Sequence, residues 1–286
     1  DAGRSRRRGQ GERVAAVIPF ADYCALPGVN WSSLKHLWAG SPLHYKHHRE
    51  SADKDTTGRK MGRLLHAMAL GSFDEEFVVF EDGDRRGQVW EAFKAANAGR
   101  TILKPNEAAD VRAQAAAVRA HREASRILAG ADTEATIQWT DPETGLPCKG
   151  RLDALHLERG YLADLKGTTT LAYLDTGCHR LGYIHQHAWY RRGLRELHGR
   201  DFDAYMIGVE NKAPHDVGAW KLDTDLLKMA DRELSTLVQR LADCIHADRW
   251  PGRMPDLGEI LIPTWMLSDE LGDSIPDEGL EMFSDL

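Results

Sequence analysis

Residues 148–170, CKGRLDALHLERGYLADLKGTTT, constrain this chain more than any other stretch. Apolar and polar residues alternate on both sides of Arg159-Gly160, the pattern of two antiparallel strands joined by a tight turn. With Arg159 and Gly160 as the loop, Glu158 faces Tyr161, Leu155 faces Asp164 and Asp153 faces Lys166. Opposed residues share a face, as do residues two apart on one strand. Asp153, Asp164 and Lys166 are therefore expected on one side of the sheet. A one-residue slip would send Asp153 to the other side.

Two converging carboxylates repel and need a cation between them, and hard oxygen ligands point to Mg²⁺ or Mn²⁺. A neighbouring lysine can position or deprotonate a water, or stabilise charge growing on a phosphate. The set suits metal-assisted phosphodiester hydrolysis. Taken alone, the same pattern is also that of an exposed hairpin with an ordinary Asp–Lys surface pair.

The composition is that of a globular protein, with 42% apolar and 28% charged residues among 286. No apolar run approaches membrane-spanning length, and DAGRSRRRGQ has no segment resembling a signal peptide. Cys24, Cys148, Cys178 and Cys244 are scattered, which disfavours a zinc ribbon, an iron–sulfur cluster or a disulfide scaffold and leads us to expect a cytoplasmic protein. There is no GxxxxGK[ST] loop, so nothing points to NTP use. The net charge of −7 is uneven: residues 254–286 hold nine acids and no Lys or Arg, leaving 35 acids against 37 bases elsewhere. A DNA-facing body with an acidic tail is compatible with that asymmetry.

In chain order we expect a basic, disordered stretch over 1–15, one domain over 16–266 and an acidic tail over 267–286. Asn30 or Ser32 can cap a short helix with Leu34, Leu37 and Trp38, ended by Pro42. His44, His47 and His48 read as solvated or phosphate-side residues, since no carboxylate lies close by. Thr57–Leu70 is an amphipathic helix with a stripe of Met61, Leu64, Leu65 and Met68; His66 lies off it, on a face with Arg59, Gly62 and Arg63. A strand at Phe77–Phe80, a helix near Gln88–Ala98 and a long helix from Asn106 to Ala129 look like scaffold. Thr133–Trp139 is an alternating strand, from which Glu134 either reaches the metal site or faces solvent. Thr176–His198 reads as a helix with Gln186 and Tyr190 on one face, and Arg191, Arg192 and Arg195 as a solvated basic end. Strands at Phe202–Glu210 and Val217–Leu222 precede a long helix, Asp223–Arg249, and Pro263-Thr264-Trp265 would anchor the start of the tail.

Together these segments resemble the PD-(D/E)xK nuclease superfamily, and within it the RecE (exonuclease VIII) type of recombination exonuclease. The likeness runs from about Ala21 to Trp265. It rests on Tyr23-Cys24-Ala25-Leu26-Pro27-Gly28 with Ser32-Ser33-Leu34-Lys35 and Ser41-Pro42, on Gly62-Arg63-Leu64-Leu65-His66, on Cys148-Lys149-Gly150-Arg151-Leu152-Asp153 with Asp164-Leu165-Lys166, and on Tyr183, Gln186 and Tyr190. Val209-Glu210-Asn211-Lys212, Trp250-Pro251 and Pro263-Thr264-Trp265 resemble its closing elements. Gly167 departs from it, standing where the family more often has Thr or Ser, with a looser local strand as the expected consequence. The resemblance implies a mixed α/β fold whose central mixed sheet is flanked by helices. It implies His66, Asp153, Asp164 and the Leu165 carbonyl as metal ligands, Lys166 orienting the attacking water, and Gln186 and Tyr190 holding the scissile phosphate or supporting the lysine. It further implies 5′→3′ digestion of linear double-stranded DNA from its ends to leave 3′ single strands, a homo-oligomeric ring (tetramer or trimer), and a single-strand annealing protein as partner. The alternatives are an endonuclease of the same fold, restriction or structure-specific, and a non-catalytic DNA-binding module.

Overall fold

The computed structural model describes residues 16–51, 57–71 and 76–254, with 257 and 259. The expected basic N-terminus, the acidic tail and the Trp265 anchor lie outside them. Chain contacts divide the protein into two units, Asp1–Pro251 and Gly252–Leu286, and every element below belongs to the first.

In order these are β1 (Ala16–Val17), α1 (Phe20–Ala25), α2 (Trp31–Trp38), α3 (Pro42–Glu50), α4 (Thr57–Leu70), β2 (Phe77–Val79), α5 (Gly87–Ala96), β3 (Thr101–Leu103), α6 (Pro105–Ala120), α7 (Arg122–Leu128), β4 (Asp132–Thr140), β5 (Pro147–His156), β6 (Tyr161–Thr168), a 3₁₀ turn (Leu171–Tyr173), α8 (Leu174–Gly177), α9 (Tyr183–His198), β7 (Asp203–Glu210), β8 (Val217–Lys221) and α10 (Thr224–Ala247). Six strands form one sheet in the order β1-β4-β5-β6-β7-β8, parallel between β6 and β7 and antiparallel elsewhere, the mixed sheet expected from the sequence.

Helices cover both faces of this sheet. On one, Ile137, Leu152, Leu162 and Met206 pack with Trp189 of α9 and with Leu234 and Leu241 of α10. On the other, Ala154, Ala163, Leu165 and Val209 meet Leu64 and Leu65 of α4, Val111 and Val118 of α6 and Ile127 of α7. Each fully buried Leu or Ile contributes roughly 1.5–3 kcal/mol of transfer free energy, so these two layers hold β5 and β6 at the centre of the molecule.

Several boundaries differ from the sequence expectation, each for a local reason. Pro42 does not end α2: it is the first residue of α3, a position that needs no backbone N–H, and Ser41 caps that helix by accepting from His44 N. Asn30, one of the two candidates, caps α2. The expected helix 106–129 is two, broken at His121, whose extended backbone (ψ 119°) lets its ring accept the Ala124 N–H. The expected helix 176–198 is also interrupted. Gly182, with φ +72°, starts α9, and a Cβ there would lie 2.7 Å from the Trp31 indole, so both conformation and close packing call for glycine.

The central hairpin pairs Ala154 with Ala163, Leu155 with Leu162 and His156 with Tyr161. Its loop is therefore Leu157–Gly160, four residues rather than two, closed by Gly160 N–H donating to the His156 carbonyl at 2.9 Å with φ +71° at the glycine. The register differs from the expected one by two residues. Because side chains alternate with period two, that shift keeps every β6 residue on its expected face.

Candidate active site

Beyond the Ala154–Ala163 pair the β5–β6 ladder stops, and the two strands part. The Leu165 N–H donates to Asp153 Oδ2 at 2.8 Å, so a carboxylate takes up a backbone donor at the fork. Alternation also slips here. Leu152 and Leu155, three apart, both join the α9-side cluster, while Ala154 packs on the α4 side. On the neighbouring strand Glu134 has φ +55° and leaves the β4–β5 ladder for one residue between the Thr133–Ala154 and Ala135–Leu152 pairs. The register is the same on either side, so no residue is inserted; the Glu134 backbone turns left-handed opposite Asp153, an uncommon conformation for a glutamate. The convergence expected from a regular two-strand register thus comes from a fork beside a left-handed residue of the neighbouring strand.

Asp164 and Lys166 follow on β6. Lys166 Nζ lies 2.6 Å from Asp164 Oδ2, with the carboxylate side chain 1% exposed, and stands 4.9 Å from the Tyr183 ring centre. Burial pulls the lysine pKa down, but the charges of Asp164 and Asp153 outweigh it and hold the pKa above the ordinary lysine value. Lys166 is therefore an ammonium, suited to donating charge and hydrogen bonds. Apart from this ammonium, neither buried oxygen of Asp164 has a hydrogen-bond donor among the described residues. A buried carboxylate without donors is costly unless a cation satisfies it.

His66 reaches the fork from α4, whose Leu64, Leu65 and Ala67 are buried beneath the sheet. Its Nε2 is 2.7 Å from the Leu165 carbonyl oxygen and its Nδ1 is 3.3 Å from Asp153 Oδ1. Two acceptors on one imidazole require both nitrogens to carry protons. Burial lowers the His66 pKa, yet the charge and hydrogen bond of Asp153 prevail and raise it to about 9. Burial likewise opposes ionisation of Asp153, and His66 and Lys166 overcome that to bring its pKa down to about 2.

Glu134 completes the group. One ligand atom from each of His66, Glu134 and Asp153 lies within 4.8 Å of the other two, and this is the one such group among the described residues. Burial and the Asp153 charge raise the Glu134 pKa against the pull of Arg151, whose Nε donates to Glu134 Oε2 at 2.5 Å and whose Nη1 donates to the Ile18 carbonyl. Of the two readings the sequence left for Glu134, proximity to the metal residues is the one found. A divalent cation fits here on chemical grounds: the donors are carboxylate oxygens, a backbone carbonyl and one imidazole, the Asp164 carboxylate is buried with the Lys166 ammonium as its partner, and His66 already stands as a cation between Asp153 and Leu165.

On α9, Gln186 Nε2 donates to Tyr190 Oη at 2.9 Å. Tyr190 lies against the backbone of Gly150, where a Cβ would come within 2.9 Å of the ring. Burial, then the nearby Asp164 charge, drives the tyrosine pKa well above its ordinary value, so it is a neutral hydroxyl. His66, Asp153, Asp164, Leu165 and Lys166 thus meet at the fork, and Tyr190, bonded to Gln186, lies near enough for the Asp164 and Asp153 charges to act on it.

The other polar candidates are elsewhere. His44 bonds Ser41 and His48 stacks on His36, and among the described residues neither belongs to a metal-binding group. Arg191 and Arg192 are buried rather than solvated: Arg191 donates to the Phe202 carbonyl, and Arg192 binds Asp231, Ser235 and Asp141. Their charge ties α9 to α10 and to the β4–β5 turn. Gly167 does not loosen β6, which stays in register with β7 through Thr168; a Cβ on Gly167 would meet Asn211 Oδ1 at 2.7 Å. Arg151 and Tyr183 gained no role from sequence patterning, because their contacts run across strands and to α9.

A family model described as a PDDEXK-like domain of unknown function (DUF3799) matches residues 31–257. The chain belongs to this family. Its PD-(D/E)xK-like character agrees with the expected superfamily, and the RecE type within it is a finer assignment. The fold is shared with a crystal structure of a protein described as a "Putative exonuclease" from Eubacterium rectale, at 11% identity and a TM-score of 0.58, over 87% of this chain and 96% of that one. No curated protein matches. Among the described residues no helix is long and apolar enough to cross a membrane.

Proposed function

We propose that this PDDEXK-like chain is a divalent-metal-dependent exodeoxyribonuclease of the RecE type, digesting linear double-stranded DNA 5′→3′ to leave 3′ single strands. The observation that carries the nuclease reading is the placement of Lys166, 2.6 Å from the buried Asp164 carboxylate, at a fork shared with Asp153 and His66. Once His66 gives up a ring proton, His66, Asp153, Asp164 and the Leu165 carbonyl would hold Mg²⁺ or Mn²⁺, with Glu134 as a further oxygen donor. When bound, the ion polarises the phosphodiester and lowers the pKa of water at the centre.

The remaining roles belong to the chain's own groups. Lys166, kept protonated by its two carboxylates, orients the attacking water through its N–H donors and offsets negative charge developing on the phosphate. The neutral Tyr190 hydroxyl, held by Gln186, positions the phosphate oxygens or the lysine. Asp153 accepts the Leu165 N–H and so fixes the Asp164–Leu165 peptide, while His66 Nε2 lies 2.7 Å from the Leu165 carbonyl oxygen. End dependence, polarity, a homo-oligomeric ring around DNA and an annealing partner are supported by the resemblance of the motifs, and exonuclease action also by the description of the Eubacterium rectale protein.

The test uses linear and covalently closed duplex DNA with Mg²⁺ or with chelator. Digestion of the linear form alone, stopped by chelator and by Asp164→Ala, supports the exonuclease. Cutting of the closed circle makes the protein an endonuclease on the same fold, and well-folded protein that cuts neither is a DNA-binding module.

A further inference from the structure

Beside the fork, on the α4 side, is a cavity of about 330 Å³ lined by α4, α6, Gly167 of β6 and Asn211 just after β7. That volume is in the range of small-ligand pockets. Met61 and Leu65 give it apolar walls, and its polar groups are the amides of Gln114 and Asn211 and the carboxylate of Asp110; no Lys or Arg lines it. Gln114 is 4% exposed. Its amide is not among the buried polar atoms left without a partner, and on the cavity wall it presents a donor and an acceptor to whatever enters.

Gly62 is a second, independent observation. It sits inside α4, where glycine is unfavourable relative to alanine, and a Cβ there would meet nothing within 4 Å. No packing within the described chain demands glycine at this position, which opens directly onto the cavity. Gly62 and His66 are four apart and share a helix face, which places the cavity about one helical turn, ~5.4 Å along the axis, from the metal-side imidazole.

We propose that this cavity receives a nucleobase of the DNA strand held at the fork. The inference rests on the nuclease reading above and adds a subsite to it. The chemistry selects a base over a phosphate: Asp110 repels an anion, no Lys or Arg among the lining residues attracts one, and apolar side chains with two amides suit a base's faces and edges. Asn and Gln amides recognise base edges by simultaneous donation and acceptance. Gly62 and Gly167 keep the cavity clear, since a side chain at Gly62 would enter it and one at Gly167 would press on Asn211.

The experiment compares wild type with Gly62→Leu, which fills the cavity, and Gln114→Leu, which removes the amide at similar volume. Each is assayed with Mg²⁺ on linear duplexes that are intact or carry a single abasic residue. Thermal melting checks the fold; leucine favours a helix over glycine, and Gln114→Leu gives an independent variant if the first misfolds. Wild type is expected to pause at the abasic residue with a rate roughly tenfold lower, the effect of losing one base contact. Both variants are expected to be slowed about as much on intact DNA, with no further pause at the lesion. Wild type that cuts but passes the lesion without pausing, or variants that retain both the rate and the pause, overturn the base subsite and leave the nuclease reading standing. Wild type that cuts no DNA overturns both.

Discussion

The Asp153 carboxylate accepts the Leu165 N–H at 2.8 Å where β5 and β6 part, and its other oxygen lies 3.3 Å from His66 Nδ1. One side chain therefore closes the backbone of the fork and also contributes to the proposed metal site. Separating those two tasks is possible by mutation. Asp153→Ala should leave the buried Leu165 N–H unpaired, costing about 1–3 kcal/mol of stability. Asp153→Asn keeps an oxygen acceptor and should lose less. Both should lack metal-dependent cleavage. Urea unfolding in chelator, alongside cleavage with Mg²⁺, checks the pair; equal stability losses would mean that the hydrogen bond matters little.

The His66–Asp153 pair sets a pH dependence. His66 is raised to about 9, so its stabilising share is complete below the ordinary histidine value near 6.5 and fades as pH rises through 9. Asp153 is lowered to about 2, so its share is complete above roughly pH 4 and fades as pH falls through 2. In chelator, the stability gap between wild type and His66→Ala should be widest between about pH 4 and 6.5 and narrow steadily above it. Melting curves from pH 5 to 10 measure this. A gap that widens with pH contradicts the pairing.

Arg192 joins Asp231, Ser235 and Asp141 inside the protein, away from the fork. Removing it leaves buried carboxylate charge uncompensated, and Arg192→Met should cost about 3–5 kcal/mol. The salt dependence of DNA binding should not change for the folded fraction, since a buried guanidinium releases no phosphate counterions. Denaturant unfolding and binding at several salt concentrations decide the point; a shallower salt slope would place Arg192 on the DNA.

Much of this was legible in the sequence because it is local. The limits of α4 and the core of α10 follow from 3.6-residue periodicity, and the β5–β6 pair from alternation. Asp164 and Lys166, two apart on one strand, could be placed on one face without knowing the loop. The loop itself was misread because Leu157 and Glu158 continue the strand pattern while their backbone already turns. The left-handed backbone at Glu134 is hidden for a different reason, since positive φ at a glutamate has no compositional signal. Arg191 and Arg192 looked solvated because their partners, Asp231, Asp141 and the Phe202 carbonyl, come from other elements. Gly167 looked like a weakness in the strand until Asn211 was found against it.

The most direct test of the central claim is the single-turnover cleavage rate of linear duplex DNA by Lys166→Ala, measured beside its Mn²⁺ affinity. If Lys166 is the charged donor at a metal-dependent nuclease centre, the variant binds metal through its unchanged carboxylates and His66, yet cuts about 10²–10³-fold more slowly, the usual loss for one preorganised donor. A variant that cuts at the wild-type rate, or a wild type indifferent to metal, would contradict the assignment of this fork as the active site.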